Sequence, residues 1–224
     1  MESAPNRALV VVAHPDDEII GTGGTISKLH SEGETVKVIV FHLGGKSVRG
    51  TIDETQGQDV RRKELDEVSK YLGFAHETWD IQDVTDRREV VRKLVKEIRE
   101  FKPDILFTHA PQDRHHLHAS VSSTTTEAAW HASQLYYLDL GNPWRISSVY
   151  YFEVWDLFTS PSFLVDTTEF MERKKKAMSL YASQLLAFPK IMEYIEALAI
   201  VRGAEAGSKY AEAFQRAPVL PELR

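Results

Sequence analysis

The 224-residue sequence contains no cysteine. That absence excludes disulfides, thiolate zinc sites, Fe–S clusters and cysteine nucleophiles together. Positive charge is also in short supply, since Lys+Arg 27 against Asp+Glu 33 leaves a net charge of -6. Phosphate binding needs a concentrated basic patch, so no nucleic-acid partner is expected. No stretch approaches the ~18 apolar residues of a membrane span. The start, MESAPNRALVVVAHP, lacks the basic segment and long apolar run of a secretory signal. The expectation is a cytoplasmic protein with no membrane span.

Hydrophobic residues make up 42% of the chain, and a chain of this length buries roughly 70% of its unfolded surface. One domain over residues 1–224 is therefore expected, with oligomerisation left open. The histidines are unevenly placed: His109, His115, His116 and His118 fall within ten residues.

Ala8 to Ala13 is a short, β-branched apolar run and reads as a buried strand. Asp16 to Glu18 open a helix that closes at Gly33. Thr35 to Leu43 is a second strand, and Lys46 to Gly57 reads as a loop. A helix over Asp59 to Leu72, a weak strand at Glu77 to Ile81 and a helix over Arg87 to Phe101 follow. Asp104 to His109 is the next buried strand and His118 to Ser133 the next helix. The C-terminal part predicts strands at Ser148 to Val154 and Phe163 to Asp166, then helices at about Glu169 to Leu186 and Lys190 to Arg202. Alternating strands and helices predict an α/β fold: a Rossmann-like, mostly parallel sheet flanked by helices, with a small C-terminal α+β extension. Ligands in such sheets bind beyond the carboxyl ends of the strands.

Two polar clusters fall at that edge. In AHPDDE, His14, Asp16 and Asp17 follow directly on a buried strand, where unpartnered ionisable groups are costly. A divalent cation held by imidazole and carboxylate would compensate. Pro15 fixes the turn so that His14 and Asp17 converge while Asp16 points elsewhere. A plain helix cap at Asp16 or Asp17 is the competing reading. In THAPQDRHHLHAS, Asp113, His115 and His118 follow another strand, with His115 and His118 three residues apart. Two histidines and one carboxylate leave a coordination position open for water, as catalytic sites do.

These stretches resemble the PIG-L (LmbE-like) family of metal-dependent N-deacetylases. The resemblance begins with VVAHPDDEIIGTGGTI and continues through Arg61-Arg62-Lys63-Glu64 and PQDRHHLH. It closes with Ser183-Gln184, Arg202 and Lys209 to Phe214, spanning about residues 8 to 214. It implies His14, Asp17 and His118 as ligands of Zn²⁺, with Fe²⁺ or another divalent metal an alternative. It further implies Asp16 as general base and His115 as oxyanion stabiliser or acid, with acetate removed from an N-acetyl amino sugar. One position departs from the pattern: Leu117 stands where the family carries an Asp that supports the catalytic histidine. Asp113 and His116 are the residues at hand to take over that support.

Arg49 and Arg61 are the expected substrate-binding residues, with Lys46 and Asp53 alongside them. Trp130, Trp144 and Trp155 are aromatic candidates for stacking a sugar ring. Arg61 and Glu64 could also simply pair along a helix, and the run Arg173 to Lys176 reads as an exposed helix face. Alternatives are a metal-dependent amidase acting on a larger sugar conjugate, and a catalytically weakened binding protein of the same fold. A dinucleotide-binding module fits poorly, because Gly21-x-Gly23-Gly24 lies inside the helix rather than in the turn before it.

Overall fold

The structure is a computed structural model and describes residues 6–46, 48 and 53–219. Strands β1 (Arg7–Val12), β2 (Thr35–Val40), β3 (Ala75–Thr78), β4 (Ile105–His109), β5 (Ser148–Phe152), β6 (Phe163–Asp166) and β7 (Ala211–Arg216) form one sheet in the order β3-β2-β1-β4-β5-β7-β6. Pairings from β3 to β5 are parallel, and β7 runs antiparallel to both β5 and β6. The helices are α1 (Asp17–Ser31), α2 (Glu54–Leu72), α3 (Arg87–Phe101), α4 (His116–Ala132), α5 (Met171–Leu180), α6 (Ala182–Ala187) and α7 (Ile191–Ala206). The expected Rossmann-like sheet is present, and the C-terminal strands continue it rather than forming a separate layer.

Strand periodicity builds two cores. Val10 and Val12 face a cluster with Ile19, Leu65, Met178 and Phe214, while Leu9 and Val11 face a second with Leu94, Ile98 and Val121. Every one of these side chains is buried, so β1 needs apolar residues on both faces. Strand order reverses on the two sides of β1, where it pairs with β2 and with β4. Crevices at such switch points are where open α/β sheets bind ligands.

The structure departs from the sequence reading in four places. Helix α2 begins at Glu54 rather than Asp59, because Asp53 caps it by accepting a hydrogen bond from Gln56 N–H at 2.9 Å. Asp53 is therefore a cap on a helix rather than a loop residue. Strand β7 was unexpected, since AEAFQR carries its charges inside the strand; Glu212 is buried there against Lys174 Nζ at 2.7 Å. That pairing also places Lys174 under α1 rather than on an exposed face, with its ammonium donating to Ile20 O at 2.8 Å. Finally, the helix expected from Glu169 to Leu186 is broken at Tyr181, which sits at φ -81°, ψ 60°. Among the described residues no helix is long and apolar enough to cross a membrane.

Candidate active site

The loop after β1 turns sharply at Asp16, a non-glycine residue at φ 102°. Backbone strain of that kind costs on the order of 1–3 kcal/mol and persists only where neighbours enforce it. Four neighbours do so. The Arg61 guanidinium donates to Pro15 O and lies 3.5 Å from Asp16 Oδ1. Glu18 Oε2 accepts the Asp16 N–H at 3.0 Å, and Asp16 O accepts from Ile19 and Ile20 N–H. The Asp16 side chain makes no capping hydrogen bond to α1, so the plain-cap reading fails for it.

Asp17 points the other way, into a nest of imidazoles. Its Oδ2 accepts His14 N–H at 2.8 Å and lies 3.6 Å from His14 Nδ1, 3.4 Å from His118 Nε2 and 3.4 Å from His109 Nε2. Two overlapping donor sets could hold a metal, His14 with His115 and His118, and Asp17 with His109 and His118. Hydrogen bonding separates them. His109 Nε2 accepts the Ala13 N–H at 2.9 Å, so its lone pair is already used. His118 differs: Asp113 Oδ1 stands 3.3 Å from its Nδ1. That contact favours the proton on Nδ1 and leaves the Nε2 lone pair facing the Asp17 carboxylate. Lone pair against lone pair is the arrangement a cation resolves, and a carboxylate behind the ligating ring is the usual support. The donor chemistry of this nest thus suits a divalent metal, with His118 common to both sets.

Charge follows the same geometry. Burial alone would raise the Asp17 carboxyl, but His118 and His109 hold it well below the usual range. Burial opposes charge on His118 too, yet Asp17 and Asp113 outweigh it and raise its pKa. His115 is pushed down to about 4 by burial and by the neighbouring His118 and His14, so its ring is neutral at pH 7. Burial pushes the Asp16 carboxyl well up, against the pull of Arg61.

His14, Asp16, Asp17, Arg61, His115 and His118 border one cavity of about 430 Å³. His42, Lys46, Glu54 and Gln82 line it as well, together with Trp155, Gln184 and Phe188. The cavity therefore has a polar wall and an aromatic one, and the Trp155 and Phe188 rings lie 5.8 Å apart. His42, at the exit of β2, has Nδ1 3.3 Å from Asp80 and Nε2 3.7 Å from Glu54.

The five expected catalytic and metal residues are brought together. Arg61 borders the cavity, but its guanidinium is engaged with the Pro15–Asp16 turn. It does not pair with Glu64, which instead accepts hydrogen bonds from Ser183. Arg49 lies outside the described residues. Of the tryptophans only Trp155 reaches the cavity; Trp144 Nε1 donates to Pro103 O at 2.7 Å, and Trp130 packs against His131 and Tyr136. His116 is exposed and stacks on His115, so it gives no support from behind. His42 and Phe188 were not anticipated; a histidine closing the second buried strand was the available signal for the first.

A family model described as PIG-L, GlcNAc-PI de-N-acetylase, matches residues 9–129. The chain belongs to the PIG-L family. Within the wider set of relatives, a 1D-myo-inositol 2-acetamido-2-deoxy-alpha-D-glucopyranoside deacetylase from Rhodococcus jostii is 25% identical, over 94% of this chain and 96% of its own. An N,N'-diacetylchitobiose deacetylase structure from Pyrococcus horikoshii is 29% identical with a TM-score of 0.82, over 96% of this chain and 84% of that one. GalB, the 4-carboxy-2-hydroxymuconate hydratase from Pseudomonas putida, aligns with a TM-score of 0.85 at 24% identity, over 98% of each chain. At that identity the likeness to GalB is one of fold. The PIG-L match covers the stretch holding His14, Asp16, Asp17, Arg61, His115 and His118.

Proposed function

We propose that this PIG-L protein is a metal-dependent hydrolase that removes the acetyl group from an N-acetyl amino sugar. The observation that carries it is the division within AHPDDE: Asp17 Oδ2 faces His14 and His118, while Asp16 Oδ1 faces Arg61 on the wall of the same cavity. The deacetylase names of the Rhodococcus and Pyrococcus relatives support the same chemistry.

His14, Asp17 and His118 would hold the metal, Zn²⁺ or Fe²⁺, both of which accept imidazole and carboxylate ligands. When bound, a divalent cation acidifies water, polarises a carbonyl and supplies positive charge that favours the Asp16 carboxylate. Asp16 is the general base: it takes a proton as water oxygen attacks the amide carbon. His115, neutral at pH 7, donates an N–H to the oxyanion. Such a donor contributes on the order of 3 kcal/mol. As the C–N bond breaks, the departing nitrogen recovers a proton, giving acetate and a free amine. Arg61 keeps Asp16 in place, and Trp155 offers an aromatic face for the sugar ring.

The test is a panel of N-acetylated sugars offered to the metal-loaded protein, with larger glucosamine conjugates included. Free amine and acetate should appear in equal amounts from an N-acetyl sugar. Cleavage of the conjugates alone would favour an amidase, and no amine from any member would remove the hydrolase reading.

A further inference from the structure

Tyr181 sits at the break between α5 and α6, far along the chain from AHPDDE. Its side chain is fully buried, and its hydroxyl donates to Glu18 Oε1 at 2.6 Å. Glu18 is itself fully buried, and its other oxygen accepts the Asp16 N–H at 3.0 Å. A continuous path of hydrogen bonds therefore runs from the helix break to the strained residue at φ 102°. The next residues dock on the same frame. Ser183 N–H and Oγ donate to the two oxygens of Glu64 at 2.7 and 2.6 Å. Glu64 lies one turn beyond Arg61, which grips the Pro15–Asp16 turn from the opposite side.

We propose that Tyr181 is a positioning residue: through Glu18 it holds Asp16 in the backbone conformation that presents its carboxylate to the cavity. Its kinetic consequences rest on the hydrolase reading above; the brace itself does not. Tyr181 does not border the cavity, so it acts only through other groups. The α1 helix gives Asp16 no side-chain cap bond that would hold it instead. Without the Tyr181 hydroxyl, Glu18 keeps a buried oxygen with no donor, which favours rotation of that carboxylate away from the Asp16 N–H. Tyr181 and Ser183, two residues apart at the break, thus anchor to Glu18 on α1 and Glu64 on α2, with Gln184 at the cavity wall.

The test is Tyr181→Phe, which removes one oxygen from a buried ring. In the metal-loaded enzyme, kcat should fall about tenfold or more, as small displacements of a catalytic group do. KM and metal stoichiometry should stay within about twofold of the parent. The Asp16→Asn background separates positioning from general destabilisation. There, adding Tyr181→Phe should change the residual rate less than about twofold, because the group it positions is already gone. Equal slowing in both backgrounds, or an unchanged kcat in the single variant, overturns the proposal. Amide hydrogen exchange tests the brace without any substrate. Exchange over residues 14–20 should accelerate in Tyr181→Phe while β1 keeps its protection, and unchanged exchange overturns the brace. A wild-type protein that hydrolyses nothing would sink the hydrolase reading alone, leaving the exchange comparison to decide on Tyr181. Should Tyr181→Phe not fold, Glu18→Gln carries the same comparisons with the same expected directions.

Discussion

Asp113 Oδ1 lies 3.3 Å from His118 Nδ1, behind the ring that faces Asp17. The same carboxylate accepts His115 N–H at 2.9 Å and Trp155 N–H at 3.3 Å. Leu117 is meanwhile buried among apolar residues of the second core. Of the two residues at hand to replace the missing carboxylate, Asp113 supports the site, but it supports the ring of His118 and only the backbone of His115. The His115 Nδ1 finds no hydrogen-bond partner among the described residues.

The first prediction concerns that support. Asp113→Asn removes the charge that favours a proton on His118 Nδ1, and with it the bias that leaves Nε2 free for a metal. Carboxylates in this position typically contribute 10–100-fold to metal affinity. Zn²⁺ titration of the stripped protein should show weakening by about that factor. A dissociation constant within twofold of wild type would detach Asp113 from the metal centre.

Asp16→Asn tests the base. The amide keeps the shape of the side chain and still faces Arg61, but cannot take a proton from water. Metal stoichiometry should be retained while kcat falls by about 10²–10⁴-fold, the usual range for a lost general base. An Asp16→Asn enzyme with wild-type turnover would remove the base assignment.

How much of this was legible depends on how local each feature is. Helix α3 runs from Arg87 to Phe101 as expected, because Asp86 caps it by accepting Glu89 N–H and Lys102 ends it at φ 54° just before Pro103. Strands β1 and β4 were equally plain as apolar runs. His14, Asp16, Asp17, His115 and His118 come from two short stretches, so their convergence needed only the parallel sheet. The signal for α2 was present in Asp53-x-x-Gln56, where a capping residue is followed three positions later by glutamine. His42, Phe188 and Tyr181 lie far apart in the chain and meet the site only through tertiary packing. No periodicity marks such residues. Lys174 escaped for a related reason: its partner Glu212 lies on a strand, AEAFQR, that carries its charges inside.

Glycines inside α1 carry a packing prediction. A Cβ on Gly21 would overlap the Phe152 ring, far inside van der Waals contact. Phe152 is fully buried with its ring 4.8 Å from that of His109, which limits any retreat. Alanine is the better helix former by about 1 kcal/mol, yet overpacking in a filled core costs about 1–3 kcal/mol. The steric term should prevail. Gly21→Ala should therefore lower the thermal midpoint by a few degrees, and a raised midpoint would show that Phe152 yields freely.

Tyr194 gives the pH prediction. Its hydroxyl donates to Val154 O, and its ring lies 5.7 Å from Trp155 on the aromatic side of the cavity. Burial, with Glu153 and Asp113 nearby, pushes its pKa up to about 12 from the ordinary 10.0. The unfolded chain thus releases this proton near pH 10 while the folded protein still holds it. Fewer protons on the unfolded state mean that stability falls as pH rises between those values. The contribution is complete below pH 10 and is lost on approach to 12. Tyr194→Phe removes this one titration and leaves the other tyrosines in place. Urea unfolding across that window should show the stability advantage of wild type over Tyr194→Phe shrinking steadily. A constant difference would mean that the Tyr194 phenol ionises alike in the folded and unfolded chain.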